Sequence, residues 1–433
     1  GGALGASEAA FRGSPAGSPS PRVRTLCACH KMPSLLALLA CSGAILTPAH
    51  RSRREVLQTA ALPVLVAPVA AANAVTSPSS ASLQASWTAT AGFSDASFIR
   101  FDEGAYKAMV DDERRTPLFE KAIRQRLAGT SDAVVVDLGT GPFAVLALSA
   151  ARAGARKVYA IEASPEAARL ARKAVSQATD VPAGVVEVIE GFSTAATLPE
   201  KADLAVAEIV GSIASEEGLH ATIRDAQARL LKRPFEESSW IPCRCQTAAA
   251  PASYALHYAL GPPQFDWGKL GGEPVRLNCR DETLELMSDP LLWEDISFAE
   301  PLPPPGVWRP SPPLRFDISA ARIDANEKVY YDELRREGAK EEEARAVAGG
   351  AAHGLSGVAL WPRLVLDPKG DIVVESRGPR GEGQKSHWQT VLALLAPRPV
   401  PVAAGSVLQL EATVKLGAAV DVPPVYELQA RVA

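Results

Sequence analysis

Glu208 and Glu217 stand nine positions apart in the stretch Ala207-Glu208-Ile209-Val210-Gly211-Ser212-Ile213-Ala214-Ser215-Glu216-Glu217-Gly218. The Gly211-Ser212 step lets a loop fold back and bring the two carboxylates together, and such a pair suits a guanidinium, which is planar, cationic and bidentate. Glu216 and Glu217 read equally well as decoration of a helix N-terminus, where the dipole favours acids. Upstream, Gly139-Thr140-Gly141-Pro142-Phe143-Ala144 fits the pattern G-x-G-x-x-G/A, in which glycines let the backbone turn tightly and a ligand approach closely. Asp137 lies two residues before Gly139, where it can orient the loop or face a cationic ligand. Glu162 closes the next apolar run, the place from which a carboxylate grips ribose hydroxyls. Pro142 removes a backbone donor that a pyrophosphate would use. A ligand with a ribose and a positive centre but no phosphates, such as S-adenosyl-L-methionine, fits better than a nicotinamide cofactor; a bare tight turn is the plain alternative.

These residues need a frame. From residue 98 to 127 the pattern is helical, and from 133 short apolar runs (134–138, 157–161, 185–189, 204–207) alternate with helical stretches (144–153, 165–174). That alternation predicts an α/β doubly wound parallel sheet over residues 95–236, with N-terminal helices ahead of it. After about residue 237, short strands at 253–260, 358–366, 372–374, 390–395, 407–415 and 425–432 are separated by Pro and Gly, which predicts an antiparallel, β-barrel-like domain over 237–433. Residues 301–313 are proline-rich and read as extended. Residues 325–348 read as one charged helical insertion, either solvated or a dimer arm.

Lys+Arg 45 against Asp+Glu 49 leaves a net charge of −4, which argues against direct binding of nucleic acid. Cys243-Arg244-Cys245 has the wrong spacing for a zinc knuckle, and the sequence implies no metal. Basic residues gather near the start (Arg12, Arg22, Arg24, Lys31, Arg51, Arg53, Arg54), leaving the rest acidic and suited to a cationic partner. Met32 precedes apolar residues 35–39. Arg53-Arg54 precedes a second apolar run, 60–72, that ends in Ala72-Asn73-Ala74. This is the layout of a bipartite targeting leader with a twin-arginine signal, as in thylakoid-lumen precursors, and 60–72 is too short for a membrane span. Residues 1–94 are therefore expected to be leader plus a Ser/Ala/Thr-rich linker at 76–94. A plastid or other organelle is the expected location, with cytoplasm or nucleus if the leader is not used.

Five motifs in order resemble the protein arginine N-methyltransferase family, a class I S-adenosylmethionine-dependent group with a Rossmann-like sheet domain. Asp111-Asp112-Glu113-Arg114-Arg115-Thr116 resembles the family's D-E-x-R-T helix, and Val135–Gly141 its first motif. The run 153–162 resembles the motif that follows, Glu208 and Glu217 the double-glutamate loop, and Ser386-His387-Trp388 the T-H-W loop. The resemblance implies that Arg115 binds the cofactor carboxylate, Glu162 the ribose, and Asp137, Gly139, Gly141 and Ser193 the rest of the cofactor. It implies that Glu208 and Glu217 clamp the substrate guanidinium, that His387 pairs with Asp112 to close the pocket, and that Trp388, Tyr106 and Met109 wall it. The sequence departs from the family at Pro142-Phe143, at Phe192-Ser193-Thr194, and in the cap aromatics, reduced to Phe98, Phe101 and Tyr106.

The implied activity is methyl transfer to arginine guanidinium nitrogens of protein substrates, with Arg-Gly-rich segments as candidates and a homodimer as the implied assembly. Two other readings stand beside it: a methyltransferase for a small cation or other nucleophile, and a non-catalytic scaffold that kept the fold.

Overall fold

The computed structural model describes residues 83–89, 103–263, 265–304, 306, 308–417, 419, 420 and 422–433. The leader, with Arg53 and Arg54, and the cap residues Phe98 and Phe101 lie outside the described residues.

Strand β1 (Leu83–Thr88) comes first, followed by helices α1 (Glu103–Val110) and α2 (Thr116–Leu127). The expected helical run thus breaks at 111–115, which frees Asp112 and Arg115 to point side chains away from a helix axis. Helix α2 opens on Pro117, whose missing N–H costs nothing in a first turn. It buries Phe119 and Ile123 under the sheet. There follow β2 (Val134–Leu138), α3 (Val145–Arg152), β3 (Lys157–Glu162), α4 (Pro165–Gln177), β4 (Val186–Glu190), β5 (Leu204–Val206), α5 (Leu219–Arg229) and β6 (Trp240–Ile241). The sheet order is β4-β3-β2-β5-β6, all parallel. Strand β2, Val-Val-Val-Asp-Leu, is buried at every position, as a central strand covered on both faces must be. The chain leaves β2 toward β3 on one side and returns through β5 on the other. The crevice between β2 and β5 is the switch point at which such sheets bind ligands.

The remaining strands are antiparallel. Arg244–Tyr254 and Gly357–Val365 form the centre of a seven-stranded sheet that also holds Gln389–Leu394 and Val275–Asn278. A five-stranded sheet runs Leu83–Thr88, Val425–Val432, Val407–Lys415, Trp308–Pro310, with Leu314–Asp317 also paired to Val407–Lys415. The two share one apolar core that includes Trp87, Tyr254, Trp293, Trp361 and Tyr426. An α/β methyltransferase-type sheet followed by a barrel-like domain is the fold class expected.

Four details correct the sequence reading. Residues 83–88 are not linker: Leu83 pairs with Ala430 and Thr88 with Val425, and Trp87 stacks on Tyr426 at 5.1 Å. Its short apolar alternation has meaning only beside a partner strand at the far end of the chain. The strand expected at 253–260 ends at Tyr254 and becomes a helical turn, Ala255–Ala259, since Ala and Leu favour helix once the pairing stops. The single charged helix is two helices, Ala320–Arg336 and Glu341–Ala352, packed on each other and on the barrel core through Ile323, Tyr330, Leu334, Ala344 and Ala348. Within the proline-rich stretch, Trp308–Pro310 is an edge strand, where missing donors are tolerated.

Candidate active site

The loop after β2 holds Gly139 and Gly141 at φ +77° and +67°, where side chains are costly. A Cβ on Gly139 would stand 3.1 Å from Ile209, and one on Gly141 would stand 3.4 Å from the Tyr106 ring. The glycine loop is therefore pressed between the exit of β5 and helix α1. Asp137, fully buried, accepts from Thr140 Oγ1 at 2.6 Å; burial, with Glu162 adding, pushes its carboxyl up to about 7. Glu162, at the end of β3, accepts from the amides of Gly141 at 2.9 Å and Ser164 at 2.8 Å. Burial raises its pKa even so, because the carboxylate leaves water. Ser193 is half-buried beyond β4, and its carbonyl accepts from Arg229 at 2.9 Å.

Arg115 and Glu208 pair with each other. The Arg115 Nε donates to Glu208 Oε2 at 3.1 Å and Nη2 donates to the same oxygen, with both side chains under a tenth exposed. Arg115 also donates to the carbonyl of Met109 at 3.3 Å, so Met109 serves through its backbone and only half buries its side chain. The sequence expectation gave the two groups different ligands; here each holds the other.

Glu217 differs from its neighbours. The residue is exposed at the surface. Protein packed about its carboxyl, then the Glu208 and Glu216 charges, push it up to about 8. Among the described residues it makes no ion pair. Tyr106 lies within the field of both Glu162 and Glu217, and burial raises its phenol. Glu216, the residue before, is wholly buried against Arg276 and accepts from the amide of Ile213 at 3.3 Å. The helix-decoration reading fails here, because α5 starts only at Leu219.

The tail reaches this site. His387 Nδ1 meets Asp112 Oδ2 at 2.8 Å and its backbone N–H donates to the same oxygen at 2.9 Å. Burial works to raise the Asp112 pKa, yet these bonds and the Arg114 amide hold it below the usual carboxylate range. Trp388 corrects an expectation. It is 5% exposed, and its Nε1 donates to the carbonyl of Val210 at 2.8 Å, so it anchors the glutamate loop rather than walling an open pocket. The next amide, of Gln389, donates to Ser212 Oγ at 3.2 Å.

Sequence reasoning missed a second anchor. Ser215 Oγ donates to Glu294 at 2.6 Å, Thr247 Oγ1 to the same carboxylate at 2.7 Å, and the Ala214 amide to Thr247 at 2.9 Å. Arg276, Thr247 and Glu294 lie on barrel strands with no local motif to mark them. Only the doubling of Glu216-Glu217 hinted at a third carboxylate.

Known proteins match this arrangement. The family model of ribosomal protein L11 methyltransferase (PrmA) matches residues 119–222, from α2 into α5. Protein arginine N-methyltransferase PRMT10 of Oryza sativa subsp. japonica is 38% identical over 126 residues, 29% of this chain and 32% of that protein. The matched stretch thus spans about a third of that relative's length. Arginine N(omega)-methyltransferase of Streptomyces achromogenes subsp. streptozoticus is 29% identical over 311 residues, 70% of this chain and 74% of that one. In fold, the chain resembles the Trypanosoma brucei PRMT1 enzyme-prozyme heterotetrameric complex with AdoHcy, with a TM-score of 0.54 at 16% identity, covering 76% of this chain and 98% of that one.

The chain is thus similar to protein arginine N-methyltransferases over part of its sequence and in fold. Of the candidate residues, Asp137, Gly139, Gly141, Glu162, Glu208 and Glu217 fall inside the stretch that the family model matches, whereas Asp112, Arg115 and His387 lie outside it. Arg115 is joined to them through Glu208, and His387 through its neighbour Trp388, which holds the Val210 carbonyl of the glutamate loop.

Proposed function

We propose that this chain transfers methyl groups from S-adenosyl-L-methionine to guanidinium nitrogens of arginine side chains in proteins. When bound, that cofactor supplies a sulfonium methyl group open to attack by a nitrogen lone pair. The residues present fit it. Gly139 and Gly141 keep side chains out of the crevice, and Glu162 stands at the strand end from which ribose hydroxyls are gripped. Arg115 is a buried fork-shaped cation suited to a carboxylate.

The observation that carries the reading is Glu217, an exposed acid that makes no ion pair among the described residues and lies in the field of the Glu208 charge. A guanidinium settling there gains a bidentate partner, and its positive charge is drawn toward the carboxylates and away from the attacking nitrogen. The Glu217 carboxyl is pushed up to about 8; a guanidinium arriving beside it favours the ionised form, which then suits removal of the proton that nitrogen must lose. Asp112 and His387 hold the tail across the site and keep the glutamate loop aligned, and alignment is the larger part of the rate advantage in such a transfer.

A second reading, methylation of a small guanidinium compound, draws support from the match to the Streptomyces protein, which is named for arginine itself and aligns over 70% of this chain. The test is incubation with the cofactor and either an Arg-Gly-rich peptide or free arginine, followed by mass spectrometry. Peptide methylation supports the first reading, free arginine alone the second, and neither product, despite cofactor binding, a scaffold. We extend the proposal to a homodimer and to organelle delivery by residues 1–80. Among the described residues no helix is long and apolar enough to cross a membrane.

A further inference from the structure

Three carboxylates crowd the glutamate loop, and the chain supplies two guanidinium groups of its own. Glu208 is held by Arg115, and Glu216 by Arg276. The second pair is built in from both sides. Glu216 is 0% exposed, Arg276 is half-buried, and Arg276 Nη1 donates to Glu216 Oε2 at 3.4 Å while Nη2 donates to Oε1. A Cβ on Gly211 would stand 2.8 Å from Glu216 Cβ and 3.2 Å from Glu217 Cγ, so only glycine lets the loop close over both acids. Arg276 comes from Val275–Asn278, the strand paired with the one that follows His387-Trp388: Val391 faces Arg276 and Thr390 faces Leu277.

We propose that the Glu216–Arg276 pair sets the charge of the acceptor site, so that Glu216 is taken up by Arg276 and an incoming guanidinium meets Glu217 and Glu208 alone, and that Arg276 is thereby a positioning residue of the transfer. The inference rests on the reading of Glu217 given under Proposed function. Its logic is electrostatic. An arginine does not give up its proton in a protein, so Arg276 neutralises Glu216 at every working pH. Without Arg276, Glu216 and Glu217 are adjacent like charges, and one of them takes up a proton and no longer binds a cation. Without Glu216, Arg276 is a free cation beside Glu217 and competes with the substrate. The charged or titratable groups that face Glu217 are Glu208 at the end of β5, Glu216 on its own loop, Arg276 on the barrel strand and Tyr106 on α1.

The experiment measures pH profiles of kcat/KM and separate KM values on an arginine peptide for wild type, Arg276→Met, Glu216→Gln, the double variant and Arg276→Lys. Arg276→Met is expected to move the acid limb up by about one pH unit. Glu216→Gln is expected to move it down and raise KM about tenfold with kcat little changed, since the competing cation acts on binding. The double variant, which removes opposite charges together, is expected to return near the wild-type limb, and Arg276→Lys to rescue most of it. Binding of S-adenosylhomocysteine by calorimetry checks that each variant is folded; if Arg276→Met is not, Glu216→Gln and the double variant decide. An active wild type whose variants all share its limb overturns this inference and leaves the function standing. A wild type that methylates neither peptide nor free arginine overturns both.

Discussion

On the proposed function, the Arg115–Glu208 pair makes cofactor and substrate binding interdependent, and Glu208→Gln tests that link. Both side chains are almost sealed from water, at 8% and 6% exposed. Deleting one partner of a buried ion pair outright costs roughly 3–5 kcal/mol. Glutamine keeps the shape and one acceptor oxygen, and Arg115 retains the Met109 carbonyl at 3.3 Å and Thr116 Oγ1 at 3.2 Å. The expected loss of stability is therefore below that range, about 2–3 kcal/mol, read by urea unfolding. Binding moves the other way. In the wild type a ligand carboxylate must draw Arg115 from Glu208, whereas in the variant Arg115 faces only a neutral amide. A coupling of this kind is on the order of 1–3 kcal/mol, so S-adenosylhomocysteine is expected to bind at least fivefold more tightly by calorimetry. Methyl transfer falls below about a tenth of wild type, because the guanidinium loses a carboxylate at its side. Weaker cofactor binding in the variant refutes the competition for Arg115. Turnover above about a tenth refutes the acceptor role of Glu208.

Asp112→Asn and His387→Ala are each expected to slow transfer, and the double variant to lose little more than either, because one staple is broken in all three; losses that multiply mean the two act separately. Stability from Asp112 is present above the unfolded carboxyl pKa and drains as pH falls through its lowered folded value, so Asp112→Asn flattens the acid end of a Tm-against-pH curve. Glu217 has the opposite sign: with a folded pKa of about 8 it holds a proton that the unfolded chain has released, so its contribution falls as pH rises from roughly 4.5 to 8. Glu217→Gln is expected to flatten that slope only in part, since Asp137 at about 7 acts in the same direction, and an unchanged slope refutes the assignment. A fusion of residues 32–80 to a fluorescent protein is expected to enter an organelle, with Arg53 and Arg54 both replaced by Lys stopping it short. Diffuse cytosolic fluorescence of the unaltered fusion ends the targeting proposal.

What could be read from sequence was local. The strand Val134–Leu138, its glycine turn and the acid at Glu162 carry their signals within a few residues, because a buried parallel strand must be apolar throughout and a tight turn needs glycine. The double-glutamate loop was legible as a spacing, and its neighbour Glu216 was not, since nothing in Ser215-Glu216-Glu217 tells a buried acid from an exposed one. The strand Leu83–Thr88 reads as linker in sequence because its pattern, polar at alternate positions, is that of many solvated segments; Tyr426 beneath Trp87 gives it a face to bury. Trp388 was legible as a motif residue but misjudged in role. An indole beside a histidine suits a pocket wall, and only the Val210 carbonyl shows it tied inward.

The two arginine–glutamate contacts of the candidate site were the least legible, and for one physical reason. Arg115 meets Glu208 across 93 positions and Arg276 meets Glu216 across 60, whereas the pairing of His387 with Asp112 across 275 was legible through the family resemblance. Carboxylates gathered at a sheet's switch point repel one another, and in a drying crevice they take up protons unless permanent cations stand beside them. Arginine is the side chain that stays charged there, but it has to come from elements that are not already part of the acidic loop. The helix ahead of the sheet and the barrel after it therefore each contribute one. The two arginines differ in what they have to hold. Arg276 comes from a paired strand and meets the loop that Gly211 lets close, while Arg115, on the function proposed above, has a second anion to serve in the cofactor carboxylate besides Glu208. On that proposal a bound carboxylate draws Arg115 from Glu208 and leaves Glu208 to the guanidinium, so the cofactor is expected to bind before the substrate.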